Sequence, residues 1–104
     1  MNKIIISCFL ALLILACAGK ENTKVNPKDV ADGQLIYKKY CVLCHGIDGK
    51  LGVNDSKDIN LSTLTLEERK VMIRDGKKLM TPFEGVLTEE EIHAVAAYTM
   101  TMKN

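Results

Sequence analysis

The chain has 104 residues, 14 of them Lys or Arg and 13 Asp or Glu, so its formal charge is +1. This length suffices for one small domain and excludes a multidomain enzyme. The balanced charge gives no indication of a nucleic-acid-binding surface. With three Tyr, two Phe and no Trp, the sequence offers little aromatic material for a core of its own.

The first sixteen residues are predicted to be a signal peptide that is cleaved off. Lys3 supplies a positive start, and all of residues 4–18 except Ser7 are apolar. This run is short for a bilayer span of about 20 residues and fits the apolar region of a secretory signal. The stretch Ile14-Leu15-Ala16-Cys17 then resembles the bacterial lipobox, although Leu15 is larger than the residue usual at its place.

Cys17 is therefore the predicted lipidation site, and residues 17–28 are predicted to be a lipidated Cys followed by a flexible tether. The alternatives are an ordinary cleaved signal with an incidental Cys17 and an uncleaved anchor helix. All three interpretations export the domain, which would face the periplasm or the cell exterior. Cleavage before Cys17 also removes Lys3 and Cys8, so the mature chain has a net charge of zero.

Three main helices are predicted for the folded domain, residues 29–104. Asn26 and Pro27 are typical of a helix start, which favours a first helix over about 28–40. Its apolar face contains Gly33, which costs about 1 kcal/mol of helix propensity relative to Ala. We expect close approach of another backbone at Gly33. The face consists of Val30, Gly33, Ile36, Tyr37, Tyr40 and Cys41.

The other two helices begin at capping boxes. Thr65 and Glu68 open a helix that runs to about Asp75, where Gly76 is expected to be a left-handed C-cap. The last helix starts after Thr88, which pairs with Glu91, and its apolar stripe continues to residue 102. Residues 46–63 contain three Gly among polar residues and are predicted to be a loop. No sustained period-two pattern occurs, so the predicted class is all-α.

The sequence Cys41-Val42-Leu43-Cys44-His45 is the attachment pattern of c-type haem. Two thiols three residues apart can add to the two vinyl groups of one porphyrin, and the adjacent His45 supplies an iron ligand. A thioredoxin-like dithiol would need a βαβ context, and a zinc site would need further ligands, of which only His93 remains. We therefore predict one covalent haem c on Cys41 and Cys44, which also supplies apolar core material.

Met80 is the predicted sixth iron ligand. It lies on a non-helical segment, residues 77–83, that Pro82 stiffens, whereas the other methionines of the mature chain lie in predicted helices. The competing ligand is His93, which would give bis-His iron. Because His93 lies off the apolar stripe of the last helix, it is expected to face solvent.

At this point the chain resembles the class I c-type cytochromes, small single-haem electron carriers, over residues 29–102. The resemblance implies that the first and last helices cross at Gly33 near Tyr98, and that His45 and Met80 lie on opposite faces of the iron. Thr81 stands where the family often has Pro, and the loop after the haem motif lacks the Pro typical of the family. The carbonyl that orients His45 is therefore left open. The resemblance rests on Gly33, Tyr37, the segment 41–46, Asp75-Gly76, Met80, Pro82-Phe83 and Tyr98.

The expected function is one-electron transfer by His/Met haem, with no enzyme activity and a monomeric state. A peroxidase-like enzyme or a gas-binding haem sensor are the alternatives, and each requires an open iron position. The expected partners are redox proteins of a respiratory chain, such as a terminal oxidase or a reductase. Lys50, Lys77 and Lys78 are either a docking patch for an acidic partner or ordinary solvated surface.

Overall fold

The structure, a computed structural model, describes residues 24–103 as an all-α fold. Its helices are α1 (Pro27–Tyr40), α2 (Val42–His45), α3 (Leu66–Asp75) and α4 (Glu89–Met100). No strand occurs in this range, where two isolated β-bridges join Lys77 to Met80 and Glu84 to Leu87. The predicted all-α class is confirmed. The predicted signal peptide, Cys17 and the first part of the tether lie outside the described residues.

The starts of the long helices are those that the capping patterns predict. The Asn26 side chain accepts a hydrogen bond of 2.9 Å from the Asp29 N–H, and Pro27 opens α1. Both capping boxes are formed, with Thr65 and Glu68 at α3 and Thr88 and Glu91 at α4. Helix α4 ends at Met100, slightly earlier than the apolar stripe suggested.

Gly76 ends α3 in a conformation that differs from the expected left-handed cap. Its φ of 67° is positive, but its ψ of 175° is extended. A Cβ at this position would lie 2.4 Å from the Met80 carbonyl oxygen and 2.8 Å from the Pro82 nitrogen. The returning segment packs directly over Gly76, and the chain therefore leaves α3 extended instead of closing a further helical turn.

Helices α1 and α4 cross at Gly33, as predicted. A Cβ on Gly33 would lie 2.0 Å from the Ala94 carbonyl oxygen and 2.9 Å from the Tyr98 Cβ. The backbones of α1 and α4 are therefore in direct contact, because Gly33 has no side chain to separate them. Around this crossing the core is formed by Tyr37, Leu66, Ile73, Leu87, Ile92, Val95, Ala96 and Ala97.

Arg69 is buried in the contact between α3 and α4, with 5% of its surface exposed. Its guanidinium donates hydrogen bonds of 2.9 Å to the Thr99 carbonyl, 3.2 Å to Ser62 and 3.2 Å to Leu64. Burial lowers the pKa of this side chain, although an arginine stays protonated in proteins. Arg69 thus fastens the segment before α3 to the last turn of α4.

The predicted loop after α2 is largely irregular, with 3₁₀ turns at Val53–Asp55 and Ile59–Leu61. The Ile59 N–H donates to the Gly49 carbonyl at 3.1 Å, and the Asn60 side chain donates to the Asp48 carbonyl at 2.7 Å. These bonds fold the loop back on itself. Within residues 24–103, none of the helices combines the length and the apolar character needed to cross a bilayer.

Candidate haem site

The Cys-x-x-Cys-His sequence forms a helical turn of its own. Cys41 separates α1 from α2, and its carbonyl accepts hydrogen bonds from the Cys44 N–H at 3.3 Å and the His45 N–H at 2.9 Å. Residues three apart in a helix lie on the same side. The turn therefore presents both thiols together and delivers His45 at its end. The sequence had placed the motif at the end of the first helix without predicting this separate turn.

Both cysteines are partly buried and neither forms a disulfide. Burial raises the pKa of the Cys41 thiol to about 11, with a smaller contribution from the neighbouring Cys44. The Cys41 side chain packs against the core cluster. Two free thiols at the rim of an apolar core match what covalent attachment of an apolar macrocycle requires.

His45 is held partly inside the protein, and its Nδ1 atom is buried without a hydrogen-bond partner of ordinary geometry. Burial lowers the pKa of the imidazole, and a hydrogen-bonding interaction with the Lys57 backbone acts in the opposite direction. The Lys57 backbone is therefore a candidate for the carbonyl that orients His45. The sequence had left that carbonyl open because the loop lacks the expected proline.

Tyr37 holds the end of the haem-motif turn in place. Its side chain is 1% exposed, and its hydroxyl donates a 2.6 Å hydrogen bond to the Gly46 carbonyl. Burial raises the pKa of this hydroxyl. The Tyr37 ring packs at 5.3 Å, centroid to centroid, against Tyr98 of α4. The same pair of helices that meet at Gly33 therefore supports the position of the motif.

Met80 lies on the non-helical segment that the sequence predicted, between α3 and α4. Its N–H donates to the Lys77 carbonyl at 3.0 Å, which closes a tight turn. The Phe83 N–H then donates to the Ile73 carbonyl at 3.0 Å and ties the segment to α3. The Met80 side chain is partly buried and packs against the same core cluster as Cys41.

The position of His93 corrects the expectation that this residue faces solvent. Its side chain is 16% exposed, and its Nε2 lies 3.2 Å from the Asp29 carboxylate of α1. The contact lacks hydrogen-bond geometry. Asn26, Glu89 and Glu90 line the same shallow cavity. The physical reason is the close α1–α4 crossing, which covers the first turn of α4 with the first turn of α1.

The donor groups fit a covalently bound haem. The turn at residues 41–45 offers two unpaired thiols and an imidazole, and the Met80 segment offers a thioether, all partly buried. Among residues 24–103, no three His, Cys, Asp or Glu side chains are grouped as a metal site. The zinc alternative therefore finds no further ligands there. Lys50, Lys77 and Lys78 are exposed.

Residues 28–98 match the family model described as cytochrome c oxidase, cbb3-type, subunit III. The chain is 31% identical to cytochrome c6 of Gloeothece citriformis, over 96% of this chain and 94% of the relative. The fold matches the crystal structure of cytochrome c6 from the diatom Phaeodactylum tricornutum with a TM-score of 0.63 and 30% identity, over 70% of this chain and 92% of that one. The fold also matches the crystal structure of the c-type cytochrome SorU from Sinorhizobium meliloti with a TM-score of 0.62 and 27% identity, over 76% of this chain and 100% of that one.

A mostly helical fold around a Cys-x-x-Cys-His turn defines a c-type cytochrome domain. With these matches, the chain belongs to the class I c-type cytochromes. It is an electron carrier of cytochrome c6 type with one covalently bound haem c, and not an enzyme.

Proposed function

We propose that this cytochrome binds its haem through Cys41 and Cys44, uses His45 and Met80 as axial ligands, and works at a membrane through a lipid on Cys17. The observation that carries the ligand assignment is the placement of the donors. Cys41 and Met80 pack against one core cluster from two different segments. The bound haem would supply the Fe(III)/Fe(II) couple, which takes up and returns one electron.

His45 would bind iron through Nε2, because its Nδ1 is the buried atom. The Lys57 backbone carbonyl would accept a hydrogen bond from the Nδ1–H group and so fix the tautomer and the orientation of the ring. Such a second interaction also raises the basicity of a ligating imidazole. The Tyr37 hydroxyl supports this arrangement, since it donates a hydrogen bond to the carbonyl of Gly46, the residue directly after His45.

Met80 is favoured over His93 as the sixth ligand by the contacts of both residues. The His93 Nε2 lies 3.2 Å from the Asp29 carboxylate of α1, whereas the Met80 thioether lies on a segment held by the close packing at Gly76 and by the Phe83–Ile73 bond. Thioether ligation favours reduced iron and gives a higher potential than bis-His ligation. With His45 and Met80 both bound, the iron would have no open position, which the peroxidase-like and gas-sensing alternatives need.

Export and tethering are proposed from the sequence. Residues 1–16 would be the cleaved signal, residues 17–28 the lipidated Cys and tether, and residues 29–104 the cytochrome domain. Because α1 begins at Pro27, the tether between Cys17 and the first helix would have nine residues, and a flexible chain of that length would span a root-mean-square distance of about 15–18 Å, which would keep the domain close to the membrane. At the membrane, the protein would act as a monomer that exchanges electrons with a terminal oxidase, a reductase or a similar respiratory protein. Lys50, Lys77 and Lys78 are the proposed docking cations.

The experiment that tests the ligand assignment compares Met80→Ala with Met72→Ala. The wild-type ferric protein is expected to show the sulfur-to-iron charge-transfer band, and its reduced form should bind carbon monoxide poorly. Met80→Ala should abolish the band, open the iron to carbon monoxide and lower the potential, while Met72→Ala keeps the wild-type spectrum.

A band that survives in Met80→Ala would show that another residue is the sixth ligand. A wild-type protein that binds carbon monoxide rapidly or turns over peroxide efficiently would replace the electron-carrier proposal with a sensor or an enzyme.

A further inference from the structure

An aromatic contact connects the end of α1 to the segment that carries Met80. Tyr40 is the last residue of α1 and directly precedes Cys41. Its ring meets the Phe83 ring edge-on, with 5.8 Å between the centroids and an interplanar angle of 76°. This is a favoured geometry for an aromatic pair, because the positive edge of one ring meets the negative face of the other.

The neighbouring charge adds to this contact. The Lys39 ammonium lies 5.1 Å from the centroid of the Tyr40 ring, within the range of a cation–π interaction. Tyr40 is 37% exposed, so its ring is not a filler of the core. Tyr40 is also not among the residues of the buried cluster around Tyr37, Ile92 and Val95.

The Met80 segment is otherwise tied to α3. The Phe83 N–H donates to the Ile73 carbonyl, and the Glu84 N–H donates to the Arg74 carbonyl at 3.1 Å. These bonds fix the C-terminal end of the segment against α3. The Tyr40–Phe83 contact joins the same segment to the helix that ends at the first haem-motif cysteine.

We propose that Tyr40 and Phe83 form a clasp that holds the Met80 segment closed over the sixth iron position. Tyr40 is thus a positioning residue that slows dissociation of the Met80 thioether. The inference rests on the proposed His45/Met80 ligation. Outward movement of the segment separates the two rings, so opening must overcome their attraction as well as the iron–sulfur bond.

The test measures how fast imidazole binds to the ferric holoprotein, since this exogenous ligand enters only when Met80 has left. Tyr40→Leu removes the ring, Tyr40→Phe retains it, and Leu35→Ala is a control at another exposed position of α1. Tyr40→Leu should bind imidazole about 2- to 10-fold faster than wild type, the range expected from the strength of one aromatic pair. Tyr40→Phe and Leu35→Ala should bind at the wild-type rate.

Two further measurements separate positioning from general stability. The Phe83→Leu variant should accelerate binding by a similar factor, and the double variant Tyr40→Leu/Phe83→Leu should add little to either single change, because one contact is lost in all three. In guanidinium chloride unfolding, Tyr40→Leu should lower the unfolding free energy by no more than that 2- to 10-fold change converts to, about 0.4–1.4 kcal/mol, and a larger loss would show general destabilisation and overturn the positioning role.

Equal imidazole rates in Tyr40→Leu and wild type would overturn the clasp, and an intact charge-transfer band in the same samples would leave the ligand assignment standing. Fully additive effects in the double variant would also overturn it, because the two rings would then act independently. A wild-type protein without the band would overturn the Met80 ligation and the clasp with it.

Discussion

Substitution of Gly33 should force α1 and α4 apart. An added Cβ would lie 2.0 Å from the Ala94 carbonyl oxygen, where ordinary contact begins at 3.4 Å, so the two helices would have to separate by about 1.4 Å. The nearest atoms belong to the backbone of Ala94. No rotamer change can therefore relieve the overlap, and the cost falls at the upper end of the range for overpacked cores, about 3 kcal/mol.

Helix propensity alone would make Gly33→Ala more stable than wild type. The sign of the change in unfolding free energy therefore shows whether propensity or the helix contact governs this position. Gly33→Ala gains about 1 kcal/mol of propensity within α1, which leaves a net loss of about 2 kcal/mol in the free energy of unfolding. A domain of this size should then melt about 8–16 °C lower. Gly33→Val adds bulk without the propensity gain of Ala and should be less stable still, with a loss of about 3 kcal/mol.

The assay is equilibrium unfolding of the holoprotein in guanidinium chloride, followed by helical circular dichroism. Gln34→Ala is the matched control, since Gln34 is the next residue of α1 and is exposed. Its midpoint should stay close to that of wild type. A Gly33→Ala midpoint at or above wild type would refute the reasoning, because propensity alone would then govern the position and the helices would not meet there.

Three further outcomes follow from the structure and the sequence. Arg69→Met removes the donor of three backbone carbonyls and should reduce the free energy of unfolding by about 2–4 kcal/mol, as measured by urea denaturation. Arg69→Lys should recover part of this loss. Tyr37→Phe leaves the Gly46 carbonyl without its donor and should cost about 1–3 kcal/mol in the same assay, and an unchanged midpoint would contradict the role assigned to this hydroxyl. Cys17→Ala should abolish labelling of the protein by a fatty-acid analogue. The protein should then be found as an uncleaved precursor or in the released fraction, and a label that persists would contradict lipidation at Cys17.

The helix boundaries followed from the sequence because helix capping is a local interaction. At Thr65 and Thr88, the side chain bonds an N–H three residues ahead, and the matching glutamate reaches back over the same distance. All partners lie within one turn, so the residue types alone fix the start. A close backbone approach at Gly33 was also predictable, since a glycine within an apolar helical face costs helix propensity, and the resemblance to the class I c-type cytochromes implied that the last helix is the partner.

Positions decided by distant contacts were missed. Arg69 is a charged residue in a helix, and nothing near it in sequence indicates that its guanidinium reaches Thr99 of α4. His93 was placed in solvent from the periodicity of its own helix, but Asp29 of α1 covers it. In both cases a second helix supplies the partner, and the pattern of one helix contains no information about that partner.

In the candidate haem site, too, some features follow from local sequence and others from contacts between distant segments. The sequence by itself determined that the chain carries a haem c, through the spacing of Cys41, Cys44 and His45, and it predicted Met80 as a further donor from the stiff segment around it. Only the tertiary structure decided how the segments that carry these groups are supported, through the Tyr37 hydroxyl bonded to the Gly46 carbonyl and the Phe83 ring against Tyr40. Donor identity is a property of each side chain, whereas support comes from backbone carbonyls and ring orientations that exist only once the segments have packed.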